Sequence, residues 1–139
     1  MTDLIVEAGC VQQQARPLWG DRHHPNESPG PRASQRLCDL AAIATAAAFA
    51  LPVGELIATT RRSHYAAFAR QSAMYLAHVT FGLTYSEVGR AFGRDRTTAA
   101  YACRLIEERR DDPAVDTVLG SLESACGALR RRLTAPVQP

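Results

Sequence analysis

The sequence predicts an all-α fold, a small helical bundle containing a helix-turn-helix. Three observations carry this. From residue 34 onward apolar residues recur at spacings of three and four, as on one buried helix face. No segment alternates apolar and polar residues in the manner of a half-buried strand. Caps, glycines and prolines then divide the helical stretch into pieces of ordinary length. The 139 residues, 46% apolar and 22% charged, suit one globular domain with additional tails.

The elements follow in order. Residues 1–33 are expected to be an arm without regular structure: Gln12-Gln13-Gln14, Pro17, Gly20, Pro25, Pro29, Gly30 and Pro31 interrupt every periodicity. Within the arm, residues 4–11 allow at most a turn or two of helix. The helical domain is expected over 34–133, with a flexible tail at 134–139. Its first helix carries Leu37, Leu40, Ala41, Ala44 and Ala48 on one stripe and ends before Pro52. A short helix is predicted from Pro52, as first helical residue, through Leu56 and Ile57. A long helix over 64–80 buries Ala69, Ala73, Leu76, Ala77 and Thr80, and Gly82 stops it.

The strongest local signal comes next. Thr84-Tyr85-Ser86-Glu87 is a capping box, flanked by Leu83 and Val88 at the positions of a hydrophobic staple. That helix is short, because Gly93 follows Ala91 and Phe92. Asp95 then caps a further helix with Arg96, Thr97 and Thr98 in its first turn and Ala99, Ala102, Cys103 and Ile106 facing inward. Asp112-Pro113 opens the last helix. Val115, Val118, Leu119, Leu122, Cys126, Leu129 and Leu133 recur along it at heptad-like spacing.

Charge is distributed unevenly. The net charge is only +2, but residues 61–110 hold nine arginines against four acids, and all sixteen basic residues of the chain are arginine. A GC-rich genome accounts for the absence of lysine; guanidinium forks also suit phosphates and guanine edges. The longest mainly apolar stretch, residues 41–51, is far short of the roughly 20 residues that span a bilayer. The acidic N-terminus lacks the basic region of an export signal, so a cytoplasmic, nucleoid-associated location and no membrane contact are expected.

Cys10, Cys38, Cys103 and Cys126 form no close pair, so free, mostly core thiols are expected rather than a zinc site or disulfides. His23-His24 reads as a solvated loop. The chain lacks a phosphate-binding loop with its lysine, a GxSxG elbow, an HExxH helix and a Rossmann glycine fingerprint. Glu107-Glu108 and Asp111-Asp112 are adjacent pairs that do not converge on a cleft. Neither catalysis nor a cofactor or nucleotide is expected.

A short capped helix, a three-residue turn holding Gly93 and a second helix have the pattern of a helix-turn-helix, and also that of any two bundle helices joined by glycine. On the first reading the second helix enters the DNA major groove with Arg96, Thr97 and Thr98 against base edges. Arginine can hold guanine O6 and N7 bidentately, and a threonine methyl packs on the thymine methyl. Arg61-Arg62-Ser63-His64, ahead of the long helix, is either a solvated loop or an arm for a narrow minor groove. Arg130-Arg131-Arg132, at a helix C-terminus, fits dipole compensation better than DNA contact.

Several stretches are more specific than the pattern. Arg70-Gln71-Ser72-Ala73-Met74-Tyr75-Leu76, then Tyr85 through Gly93-Arg94-Asp95-Arg96-Thr97-Thr98, then Ala102-Cys103-Arg104 and Ile106-Glu107 resemble the C-terminal DNA-binding domain, domain IV, of the bacterial replication initiator DnaA. The resemblance covers about residues 36–110. It implies a monomeric reader of a short asymmetric duplex box: Arg62 or Arg61 in the minor groove, Asp95, Arg96, Thr97 and Thr98 reading the major groove, and Arg70, Ser86 and Arg94 on phosphates. Three positions depart from the family. Arg96 stands for its histidine, which favours guanine; the turn is one glycine shorter; His78 stands for a usual lysine.

The ATP-binding domain of an initiator is not expected in the thirty-odd residues upstream, so origin melting is not expected either. A DNA-binding transcription regulator, with activation favoured, is the expected function. In architecture and arginine content the chain is also similar to activators of gene transfer agent clusters in α-proteobacteria. RNA polymerase, a nucleoid architectural protein or a partner activator are then the expected protein partners. The alternatives are a replication-control protein that competes for DnaA boxes and, in another class, a non-catalytic protein–protein adaptor.

Overall fold

A computed structural model describes residues 29–58 and 63–134. Among them are α1 (Pro31–Phe49), α2 (Val53–Ile57), α3 (His64–Phe81), α4 (Tyr85–Ala91), α5 (Arg96–Arg109) and α6 (Pro113–Thr134), with no strand. The all-α expectation holds. Residues 1–28 of the expected arm, including residues 4–11, Cys10 and His23-His24, lie outside the described residues, as do Arg61, Arg62 and residues 135–139 of the expected tail. The expected bounds are corrected at both ends: Pro31, Arg32 and Ala33 belong to α1, its proline tolerated in a first turn whose amides need no helical partner, and Thr134 still belongs to α6. No helix among the described residues is long and apolar enough to cross a membrane.

The centre of the bundle is α3, with Ala69, Ala73, Leu76 and Ala77 fully buried. Against it lie α1, α5 and α6. The small residues of α3 let those helices approach closely, since the side chains at the contact set the interaxial distance. The same need decides the face that α1 buries. Cys38, Ala41, Ala42, Thr45, Ala46 and Phe49 point inward, whereas Leu37, Leu40 and Ala44 are only half-buried at the edge and Ala48 is exposed. The predicted stripe is therefore rotated toward the smaller side chains. Thr45 Oγ donates to the Ala41 carbonyl at 2.7 Å, which removes the cost of burying its hydroxyl.

Helix ends follow the sequence closely. The last turn of α1 closes through Ala50 at φ 53°, with the Leu51 amide on the Ala46 carbonyl at 2.9 Å. An alanine in this left-handed position costs about 1 kcal/mol relative to glycine. Pro52 caps α2 from outside the helix instead of occupying its first position. Ser63 caps α3 through the Ala66 amide, and Gly82 ends it at φ 68°. Thr80 departs from expectation: it is only half-buried, and its hydroxyl, itself inaccessible, has no hydrogen-bond partner. Asp112 accepts the Ala114 amide at 2.9 Å as the cap of α6.

Of the last-helix stripe, Leu119, Leu122 and Cys126 are buried, Val115 is half-buried, and Val118, Leu129 and Leu133 are exposed. Cys38, Cys103 and Cys126 are buried free thiols. Burial pushes the thiols of Cys38 and Cys103 up to about 12, helped at Cys38 by Asp39 and Glu87 and at Cys103 by Glu107. They stay protonated and act as small apolar groups.

Candidate nucleic-acid interface

The capping box forms as the sequence requires. Thr84 Oγ accepts the Glu87 amide at 3.2 Å, and Glu87 Oε2 accepts the Thr84 amide at 2.7 Å. The staple residues Leu83 and Val88 are buried, which sets the angle at which the chain enters α4. Glu87 is also reached by Ser34 Oγ of α1 at 3.4 Å, so the first helix of the pair is anchored from two sides.

The turn between α4 and α5 is tight. Gly93 takes φ 65°, and the Arg94 amide donates to the Gly89 carbonyl at 2.7 Å. The start of α5 thus lies directly on Gly89. Asp95 then caps α5, its carboxylate accepting the Thr98 amide at 2.6 Å. Behind this turn Ala99, Ala102, Cys103 and Ile106 are buried as predicted, which aims Arg96, Thr97 and Thr98 into solvent.

That capping bond holds the Asp95 carboxyl below its usual range, chiefly through the Thr98 amide and then the Thr98 side chain and Thr97 amide. Because the folded value is the lower one, the cap's contribution is complete above the unfolded value of about 3.9 and is lost as pH falls through the folded value. Exchange of the Thr98 amide, corrected for its intrinsic rate, should be flat from neutrality to about pH 5 and accelerate below about pH 4. Asp95→Asn keeps a capping oxygen and should abolish that acid dependence; an unchanged profile in the variant would exclude Asp95 as its source.

The exposed first turn of α5 borders an open groove of about 600 Å³ between α3 and α5, whose lining includes Arg70, Gln71, Arg94, Thr97, Thr98 and Tyr101. Six of the nine predicted contact residues therefore lie on one groove or the ridge beside it: Arg70 in its lining, and Arg94, Asp95, Arg96, Thr97 and Thr98 on the side of α5. Arg94 is half-buried and donates through Nη2 to the Ala58 carbonyl at 3.2 Å, so the chain enters 59–62 from beside the turn. Arg61 and Arg62 lie within that segment, outside the described residues. Ser86 is exposed in the first turn of α4 and does not line the groove.

Arg70 requires a correction of role. It is 8% exposed, with Nε on the Leu56 carbonyl at 2.9 Å and Nη2 toward the Glu55 carbonyl at 3.4 Å. Its guanidinium holds the C-terminal carbonyls of α2, so it is first an internal strut and only at its edge part of the groove. His78 is likewise internal: its ring stacks on Tyr85 at 4.3 Å, and Nδ1 lies 2.7 Å from the Leu83 carbonyl, tying α3 to α4. Arg130, expected to serve the end of its own helix, donates instead to the Thr80 carbonyl near the end of α3 at 2.9 Å.

Gln71 and Tyr101 were not anticipated. Tyr101 lies one helical turn beyond Thr97 and carries the Arg104 guanidinium 5.6 Å from its ring centroid. The spacing of four from Thr97 was the available signal. Gln71 follows the buried Arg70 and had no signal beyond its place on a polar flank. Among the described residues no three His, Cys, Asp or Glu side chains converge as metal ligands would.

A capped helix, a glycine turn and a second helix with an exposed Arg-Thr-Thr first turn define a DNA-binding helix-turn-helix domain. Residues 41–106 match the family of the bacterial DnaA protein helix-turn-helix. The chain thus carries a DnaA domain IV-like domain. It is 41% identical over 70 residues to the chromosomal replication initiator protein DnaA of Acinetobacter baumannii strain ATCC 17978. It is 40% identical over 70 residues to the DnaA proteins of strains AYE and SDF. In each case the match takes in 49% of this chain and 15% of the relative, so the chain spans a small fraction of the length of those relatives.

Proposed function

We propose that the protein is a transcription regulator, an activator in the favoured form, that reads a short DnaA-box-like duplex site. The observation that carries this is the exposed first turn of α5, where Arg96, Thr97 and Thr98 stand clear of the core on a helix anchored through Gly89 and Asp95. In this reading Arg96 takes a guanine, the threonines pack on neighbouring bases, and Arg94 meets phosphate. Arg61 and Arg62 supply the minor-groove arm. The role is non-catalytic and uses neither nucleotide nor metal. Control of a gene transfer agent cluster, with RNA polymerase, an architectural protein or a second activator as partner, is the narrowest form of the proposal. The adaptor alternative predicts little DNA affinity, whereas about five phosphate contacts predict a log–log salt slope of about −4 to −5.

The relatives being replication initiators favours a second reading, occupancy of DnaA boxes in competition with an initiator. Genome-wide occupancy of the tagged protein, with Arg96→Ala as control, separates the two. Peaks at a few promoters that vanish in the variant support the regulator; peaks centred on the origin support replication control. In vitro, Arg96→Ala should weaken the cognate site about 5- to 150-fold, equivalent to about 1–3 kcal/mol, and relax one base position. An equal loss on every sequence would make Arg96 a phosphate contact instead.

A further inference from the structure

The outward face of α5 does not end with its first turn. Counted at about 100° per residue, Thr97, Tyr101 and Arg104 fall within about 60° of one another, opposite the buried Ala99, Cys103 and Ile106. Arg96 and Thr98 flank that face on either side. Tyr101 is 52% exposed and Arg104 is exposed as well. The Arg104 guanidinium lies 5.6 Å from the Tyr101 ring centroid, within cation–π range. Tyr101 precedes Arg104 by three residues, so the charged end is turned back toward the first turn of α5. Glu107 and Glu108, three and four residues further on, are spaced for ordinary helical ion pairs with Arg104. Among the described residues, however, no ion pair holds it.

We infer that Arg104 is a second base-reading arginine, holding a guanine bidentately, and that Tyr101 is the residue that positions it. Its role there rests on the proposed seating of α5 in the major groove. Contacts from a helix in that groove recur along one face at spacings of three, four and seven residues. From Thr97 those spacings fall on Ala100, Tyr101 and Arg104. Ala100 is small and half-buried, which leaves the other two to fill the face. Phosphates border the groove and are met by the flanks of the helix and by neighbouring elements, as at Arg94, whereas the outward face meets base edges.

The stacked ring supplies what a guanine contact requires. O6 and N7 are held together only by a guanidinium edge presented in the plane of the base. Arginine stacks flat on aromatic rings where an ammonium does not, so Tyr101 restricts the fork before DNA arrives and reduces the rotamer freedom lost on binding. Arg104 stands about 12 Å beyond Arg96 along the helix axis. At about 3.4 Å per base step, the two guanines lie within about four base pairs of each other.

Selection from a randomised duplex library by the full chain, repeated with Arg96→Ala, Arg104→Ala, Tyr101→Ala and Tyr101→Phe, tests this. Arg104→Ala should relax one guanine position, different from the one relaxed by Arg96→Ala, and weaken the parent site about 5- to 150-fold. Tyr101→Ala should relax the same position as Arg104→Ala, and Tyr101→Phe, which keeps the ring, should retain it. Helix content and thermal midpoint should not change in the Arg104 and Tyr101 variants, since both side chains lie outside the core. An Arg104→Ala protein that selects the parent motif overturns the assignment and leaves the role of Arg96 intact. So does one that loses affinity equally on every sequence with a salt slope lower by about one, the mark of a phosphate contact. Equal relaxation by Tyr101→Phe and Tyr101→Ala would remove the stacked ring from the mechanism. A parent chain that selects no motif overturns the seating of α5 itself, and the role of Arg104 with it.

Discussion

Gly89→Ala should destabilise the domain by about 1–3 kcal/mol, the range for forcing atoms into a well-packed site, and lower DNA affinity by at least about tenfold. A β-carbon on Gly89 would stand 2.8 Å from the carbonyl oxygens of both Arg94 and Asp95 and 3.0 Å from the Asp95 carbonyl carbon. All three atoms are backbone, so no side chain can swing aside. The turn cannot retreat without lengthening the 2.7 Å bond from the Arg94 amide to the Gly89 carbonyl. Moving it also moves the Asp95 cap and with it the first turn of α5.

Helix propensity alone predicts the opposite sign, because alanine is favoured over glycine inside a helix by up to about 1 kcal/mol. Gly120→Ala is the matched control. Gly120 lies in α6 with open space around its β position, so that variant should gain about 0.5–1 kcal/mol. Urea unfolding of both, with affinity for a DnaA-box duplex, makes the comparison. A Gly89→Ala protein as stable as the parent would show that the two helices do not need this close approach.

Arg70→Ala should cost about 2–4 kcal/mol, because a buried charge-assisted hydrogen bond is worth about 1.5–3 kcal/mol and the side-chain packing is lost as well. The five-residue helix α2 is too short to persist alone. It is held by the buried Leu56 and by Arg70 on the Glu55 and Leu56 carbonyls. Arg70→Lys should rescue little, because an ammonium lacks the planar fork that reaches both carbonyls. The salt dependence of DNA binding separates the strut from a phosphate contact. As a strut, Arg70 changes the unfolding midpoint and leaves the salt slope alone; as a phosphate contact, its removal lowers the slope by about one.

The local elements of the fold were legible in the sequence because their causes are local. The Thr84–Glu87 box, the Asp95 and Asp112 caps, the Gly82 stop and the inward stripe of α5 each depend on residues within a turn or two of one another. They appear where the spacing places them. The exposure of Arg96, Thr97 and Thr98 follows by subtraction from that same stripe.

For α1, Arg70 and His78, where sequence reasoning and structure part, a partner on another element is responsible. The burial of α1 is chosen by the small-residue surface of α3, which favours Cys38, Ala42 and Ala46 over the larger Leu37 and Leu40. Arg70 reads as a phosphate ligand until α2 supplies two carbonyls fourteen and fifteen residues away. His78 reads as a replaced surface cation until Tyr85 stacks on it.

The sequence by itself determined the helical class, most of the breakpoints and the exposed first turn of α5, since propensity, capping and periodicity act over a few residues. Tertiary structure alone decided which arginines are free to meet a ligand. It also decided that Tyr101 and Gln71 share the groove of Thr97 and that the last helix keeps Leu129 and Leu133 exposed. Burial depends on what packs opposite, and residues that are distant in the chain supply it.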